Sequence, residues 1–197
     1  MTPLDATTHV GRFVLVFNNV LEFAECDNLV ARLASARWER HNYASQMEQR
    51  RISYDDDLYV TKDIPLSVMK RLNEIDEIAF AEYIARVGVS GWSGVGVCSN
   101  ARINKYPTGT KMRKHCDHIT TLFDPSNTYR GARGVPVLSA VGSLNDDYEG
   151  GQFVMWENQI IPLSKGSVLV FPSSFMFPHQ VFPITNGERI SWVSWAW

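Results

Sequence analysis

Ile103-Asn104-Lys105-Tyr106-Pro107-Thr108-Gly109-Thr110-Lys111-Met112-Arg113-Lys114-His115-Cys116-Asp117 ends on a histidine and a carboxylate two residues apart. Side chains alternate with period two along an extended segment, so His115 and Asp117 are expected on one face. There they can share one metal ion. An imidazole nitrogen and a carboxylate oxygen supply two of the three ligands of the facial triad that holds non-haem Fe(II) and leaves coordination positions open.

The third ligand of such a triad is a second histidine, and the chain has five histidines in all. His9 and His41 precede the β-rich half. His118 adjoins the pair and, being next to Asp117, should point the opposite way. His179 is the best candidate, because it opens a strand that leads through the turn Thr185-Asn186-Gly187 into a last strand beginning near Arg189. An arginine one hairpin from the third ligand has a specific use: its planar fork takes a carboxylate in a bidentate way and does not lose its charge. Ser191 shares the face of Arg189, and Tyr106 offers a phenolic donor. Together they outline a pocket for a dicarboxylate whose other end chelates the metal.

His115-x-Asp117, then His179, then Arg189-x-Ser191 resemble the Fe(II)- and 2-oxoglutarate-dependent dioxygenases, and within them most closely the prolyl 4-hydroxylase group. Further words are similar: Lys105-Tyr-Pro-x-Gly109, the run at 143–153 (Ser-Leu-Asn-Asp-Asp-Tyr-Glu-Gly-Gly-Gln-Phe) and the run at 162–172 (Pro-Leu-Ser-Lys-Gly-Ser-Val-Leu-Val-Phe-Pro). The likeness covers residues 97–197. A lone His-x-Asp arises easily by chance, whereas five ordered elements do not. The resemblance implies Fe(II) on His115, Asp117 and His179, with 2-oxoglutarate and O2 as cosubstrates and ascorbate as an optional reductant. It implies that Arg189, Ser191 and Tyr106 hold the distal carboxylate of 2-oxoglutarate. Ser143 and Ser139 stand at inward strand positions where relatives carry tyrosine or threonine toward the cosubstrate. It also implies release of succinate and CO2 as a substrate C–H is hydroxylated, with a prolyl residue of a protein or peptide as the leading substrate. Trp195 shares the face of Arg189 and Ser191, where the resemblance puts an aromatic near the metal and the substrate.

The expected fold is α+β, mainly β: a double-stranded β-helix, or jelly roll, with supporting N-terminal helices. Short runs of β-branched and aromatic residues recur at 97–106, 112–118, 136–144, 151–157, 159–163, 166–171, 179–184 and 189–197. Upstream, residues 11–21 read as a buried or edge-covering strand. Leu29, Val30, Leu33 and Ala34 follow an Asp27/Asn28 cap candidate and predict a helix, and Pro65 opens a longer one that stops near Gly88. One domain over 1–197 is expected, with 1–95 as the supporting half and 96–197 as the jelly-roll core.

Two stretches read as solvated connections or as lids. Residues 39–63 are polar and charged, and Arg51-Ile52-Ser53 resembles the Arg-x-Ser element of a substrate-covering loop. Residues 119–135 interrupt the barrel just after His115-x-Asp117 and bring Tyr129, Arg130 and Arg133 to its mouth, as candidate substrate contacts.

Composition narrows the partners. The 197 residues are 45% hydrophobic and 20% charged with a net charge of −2, ordinary for a globular chain and short of the basic field that disfavoured nucleic-acid binding would need. No apolar run approaches the length of a membrane span. Three cysteines make neither an even disulfide set nor a zinc spacing, and no basic-then-apolar leader opens the chain, so a cytoplasmic setting is expected. The alternatives are a 2-oxoglutarate oxygenase acting on a free amino acid or a nucleobase, a non-catalytic metal-binding jelly roll, and a cupin-type metalloenzyme with no need of Arg189 and Ser191.

Overall fold

A computed structural model of the chain describes residues 11–41, 43–45, 50–52, 58–61, 63–88, 95–117 and 135–197, with only the backbone path at 43–45 and 50–52. Arg51 therefore has a place in a strand but no described side chain. His9, His118, Tyr129, Arg130 and Arg133 lie outside the described residues.

The first half holds β1 (Leu15–Phe17), α1 (Phe23–Arg32), β2 (Glu39–Arg40), β3 (Tyr43–Ser45), β4 (Arg50–Ile52), β5 (Tyr59–Thr61) and α2 (Leu66–Val87). The second half is all strand: β6 (Arg102–Pro107), β7 (Met112–His115), β8 (Leu138–Ser143), β9 (Glu149–Gly150), β10 (Phe153–Met155), β11 (Gln159–Ile161), β12 (Val168–Pro172), β13 (His179–Val181), β14 (Ile184–Asn186) and β15 (Glu188–Ala196). Each of the eight expected runs overlaps one of these strands. A larger antiparallel sheet runs β1-β12-β8-β15-β6-β5-β2, and a smaller one runs β11-β10-β13-β7. Between β6 and β15 the chain passes back and forth between the two sheets, which is the double-stranded β-helix.

Three expectations change. Residues 11–21 form a 3-10 turn at Gly11–Phe13 and only a three-residue strand, β1, at the edge of the larger sheet. Helix α1 begins at Phe23 behind Glu22, so Asp27 and Asn28 sit inside it and do not cap it. Asp27 instead pairs with Lys165 at 2.5 Å across the fold. The segment 39–63, read as a connection, contributes β2 and β5, which extend the larger sheet beyond β6 with Thr61 opposite Ile103 and Val60 opposite Asn104.

Two apolar clusters lie on either side of the larger sheet. Outside it, Val68, Leu72, Ile75, Ala79, Phe80 and Tyr83 of α2 pack with Ile103, Ala140, Val168, Val170, Ile190 and Trp192. The helix ends on Gly88, left-handed at φ 76°, a conformation that glycine adopts without a Cβ clash. Trp192 lies across its neighbour strand so closely that a Cβ at Gly142 would meet the indole at 2.2 Å. Its Nε1 donates to Asp76 Oδ1 at 2.9 Å, joining α2 to the sheet. The inner cluster, including Val141, Phe153, Met155, Leu169, Phe171 and Val193, fills the space between the two sheets. Among the described residues, no helix is long and apolar enough to cross a membrane.

Candidate metal centre

β13 pairs with β7 so that His179 stands directly opposite His115, with a register shift just after it. Their ring centroids are 4.3 Å apart. β7 ends at His115, so Asp117 belongs to the turn that follows and reaches the histidines from there, not by strand alternation. Its Oδ1 lies 3.5 Å from His115 Nε2 and 3.7 Å from His179 Nε2. One donor atom from each of the three residues lies within 4.8 Å of the others, a spacing at which three donors can surround a single cation.

The donors face the right way for a reason written in the backbone. His115 Nδ1 meets the Arg113 carbonyl at 2.7 Å, and His179 Nδ1 meets the Phe177 carbonyl at 3.1 Å. A carbonyl only accepts, so each Nδ1 carries the proton and each Nε2 presents its lone pair to the centre. Packing fixes the His179 ring as well: it stacks on Phe153 at 5.3 Å and meets the edge of Phe171 at 4.9 Å.

The charges suit a cation. Burial alone would raise the Asp117 carboxyl, but His179, His115 and the Ser139 hydroxyl outweigh it and hold the group well below the usual carboxylate range. Burial and the neighbouring His115 push His179 down to about 4, against the pull of Asp117, so it is neutral and metal-competent near pH 7. His115 is held the other way: burial opposes its protonation, and Asp117 and the Arg113 carbonyl more than offset that.

Ser139, expected near a cosubstrate, serves the carboxylate ligand. Its Oγ donates to Asp117 Oδ2 at 2.5 Å and shares a hydrogen bond with Ser173 Oγ at 2.7 Å. That contact joins β8 to the turn after β7, two elements with nothing local in sequence to link them.

The second locus lies along β15. Pairing with β6 sets Arg189 opposite Tyr106 and Ser191 opposite Asn104, and pairing with β8 sets Ser191 opposite Ser143 and Trp195 opposite Ser139. Arg189 is only 1% exposed. Its Nη1 donates to Ser191 Oγ at 3.0 Å, its guanidinium lies 5.1 Å from the Tyr106 ring, and its buried Nη2 has no partner among the described residues. Beside it is a cavity of about 150 Å³ whose walls include Tyr148, Gly151, Phe153, Ile161 and Leu163. A buried guanidinium with an N–H unspent is costly unless an anion completes it. Burial raises the Tyr106 phenol more than the Arg189 charge lowers it, so Tyr106 stays a neutral donor. Ser143, on the same face, donates to the Asn145 carbonyl at 3.1 Å.

The sequence pattern did not single out Ser173, Asn104, Arg102 or any partner for His41. His41 hydrogen-bonds through its backbone to Leu58, and burial, Arg102 and His115 together push its imidazole down to about 4. Only the pairing of β5 and β2 onto β6 brings it near the centre, and no local motif encodes that pairing.

In comparison with known proteins, residues 101–197 match the 2OG-Fe(II) oxygenase superfamily. PKHD-type hydroxylases of Alteromonas mediterranea and Shewanella oneidensis are 40% and 43% identical to this chain over 95 residues. Each match covers 47% of this chain and 40% of the relative, so the chain spans less than half the length of the curated relatives it matches. Among solved structures, a prolyl hydroxylase from Trichoplax adhaerens, in complex with a hypoxia inducible factor oxygen degradation domain peptide fragment, is similar with a TM-score of 0.66 at 15% identity. That similarity covers 98% of this chain and 86% of that one and concerns the fold.

Proposed function

The chain belongs to the 2OG-Fe(II) oxygenase superfamily through residues 101–197, and from that membership we propose that it is an Fe(II)- and 2-oxoglutarate-dependent dioxygenase. It hydroxylates a C–H bond, most favourably of a prolyl residue in a protein or peptide, and releases succinate and CO2. The observation that carries this reading is the pairing of two features on one barrel: three convergent donor atoms at His115, Asp117 and His179, and a buried Arg189 whose Nη2 lacks an acceptor. A metal-binding module with no dicarboxylate to hold has no use for the second.

His115, Asp117 and His179 hold the metal, and Ser139 orients the carboxylate among them. Arg189 and Ser191 bind the distal carboxylate of 2-oxoglutarate, with the Tyr106 phenol beside them. When bound, Fe(II) supplies the redox chemistry that couples oxidative decarboxylation of 2-oxoglutarate by O2 to hydroxylation of the substrate. The chain's own part is orientation and exclusion of water, for which Phe153 and Phe171 wall the His179 side. Trp195 stands on the substrate side, and Arg51 on β4 together with Tyr129, Arg130 and Arg133 are the proposed further substrate contacts. We also read 1–197 as one domain, since α2 packs on the outer face of the barrel's own sheet. Among the described residues Cys26, Cys98 and Cys116 form no disulfide, which suits a reducing cytoplasm.

Anaerobic titration of the metal-free protein with Fe(II) and then 2-oxoglutarate tests the reading. The wild type should develop the weak visible charge-transfer band of the chelate, and His179→Ala should not. Iron binding without the band would overturn the cosubstrate assignment.

A further inference from the structure

Among the described residues, the guanidinium groups of Arg189 and Arg102 both lie on the barrel's inner face, and the roles assigned so far use the first. On β6, Arg102 lies opposite Val193, Asn104 opposite Ser191 and Tyr106 opposite Arg189. Alternation therefore sets Arg102 on the same inner face as Arg189, at the other end of the ladder and four residues away, about 13 Å along the strand.

The two ends have different surroundings. At the Arg189 end is the cavity walled by Gly151, Phe153 and Ile161. At the Arg102 end is Trp195, whose strand partner Ser139 delivers its hydroxyl to Asp117. The metal centre is thus tied to the Arg102 end.

Arg102 is held in position. Its Nε donates to Asn104 Oδ1 at 3.1 Å, and its guanidinium carbon lies 5.1 Å from the Trp195 ring centroid. A guanidinium lying over an indole is held by cation–π attraction, and its planar fork suits a carboxylate taken in a bidentate way. Both residues that orient it are on regular strands, which hold a recognition group more tightly than a loop does.

We propose that Arg102, oriented by Asn104 and lying over Trp195, is a specificity-determining residue that receives a carboxylate of the primary substrate at the end of the barrel opposite Arg189. The substrate then carries a free carboxylate close to the hydroxylated C–H, either the α-carboxylate of an amino acid or chain terminus or the side chain of an acidic residue. This rests on reading the centre as a 2-oxoglutarate oxygenase and narrows what that centre accepts.

The test is a binding measurement on the whole chain loaded with Zn(II), which cannot turn over, and with 2-oxoglutarate. Calorimetric titrations use N-acetyl-L-proline and its amide, and the N-acetyl amides of L-aspartate, L-asparagine, L-glutamate and L-glutamine. In the wild type at least one acid should bind about tenfold or more tighter than its neutral match, because a site built for a charged partner rejects the analogue that lacks it. The proline pair reports a terminal carboxylate, and the other pairs a side-chain one. Arg102→Gln should abolish the preference and Arg102→Lys, which keeps the charge and loses the fork, should retain part of it. Absence of an acid preference in the wild type, including absence of any binding, overturns the proposal. So does a preference that survives in Arg102→Gln, or a loss of 2-oxoglutarate affinity in both variants, which would assign Arg102 to the cosubstrate. Failure of the Zn(II)-loaded wild type to bind 2-oxoglutarate is a separate result, and it removes the reading of the centre itself.

Discussion

The two faces of β15 do different work with alternate residues of one nine-residue strand. Outward, Ile190, Trp192 and Ala196 are buried among the side chains of α2 and α1. The one polar atom on Trp192 is matched by Asp76. Inward, Arg189, Ser191, Val193 and Trp195 line a barrel in which Arg189 Nη2 still lacks an acceptor. The outward face is closed over by helix and holds the fold, with Ser194 Oγ and Asp76 Oδ2 sealed there without partners among the described residues; the inward face sets its unmatched guanidinium beside a cavity, which is what a site requires before its ligands arrive. Period two lets a single strand serve both ends, so substitutions one residue apart should separate stability from binding.

Trp192→Ala is the strongest test of that separation. It removes a fully buried indole and should cost about 3–5 kcal/mol in a urea melt, while the folded fraction keeps its Fe(II) affinity. A large fall in that affinity would show that the two faces are not independent. Arg189→Gln is the reciprocal change. Loss of a buried charged hydrogen-bonding group should weaken 2-oxoglutarate binding by about 2–5 kcal/mol, with stability unchanged or raised, because an incompletely paired buried charge is itself destabilising. A melt showing severe destabilisation would mean that the inner face also carries the fold.

Ser139→Ala sharpens the comparison within the inner face. The Asp117 carboxylate loses its orienting donor, and Fe(II) affinity should fall roughly 10- to 100-fold with the three ligands intact, measured by competition with a metal-chelating dye. The change that is smallest per step concerns the outer face and a single pH unit. Burial lifts the Asp76 carboxyl from its ordinary value of 3.8 to about 7, more than the Trp192 N–H lowers it. The folded state then binds a proton that the unfolded state releases, so stability should fall as pH rises from about 4 to about 7, by at most ~1.4 kcal/mol per pH unit. Asp76→Asn should flatten that slope, and urea melts at successive pH values measure it. An unchanged slope would place the titration elsewhere.

Much of this was legible in the sequence where the signal is local. Arg189, Ser191 and Trp195 against Ile190 and Trp192 is a period-two pattern, and a strand reads it out directly. Gly88 ended its helix as expected. What escaped depends on pairings distant in sequence. Ser139 looked like a cosubstrate contact because its strand position was readable, but its acceptor, Asp117, comes from the turn that follows a strand of the other sheet. Asp117 itself was expected on β7, which stops two residues earlier. Asp27 resembled a cap because acidic residues favour helix starts, yet its partner is Lys165, 138 residues away. Arg102 resembles any solvated strand arginine until β15 is set beside it.

The larger sheet ends at one edge in three-residue β1 and at the other in two-residue β2, whose Glu39 and Arg40 are both exposed. The long strand β15 lies well inside, flanked by β8 and β6. An exposed strand is a template on which a second chain can add, and the hazard grows with its length and falls with its charge. Here the segment most able to seed intermolecular pairing is enclosed, and what remains at the margins is too short or too charged to serve. Strands drawn from the supporting half thus act as a guard against aggregation for the barrel half.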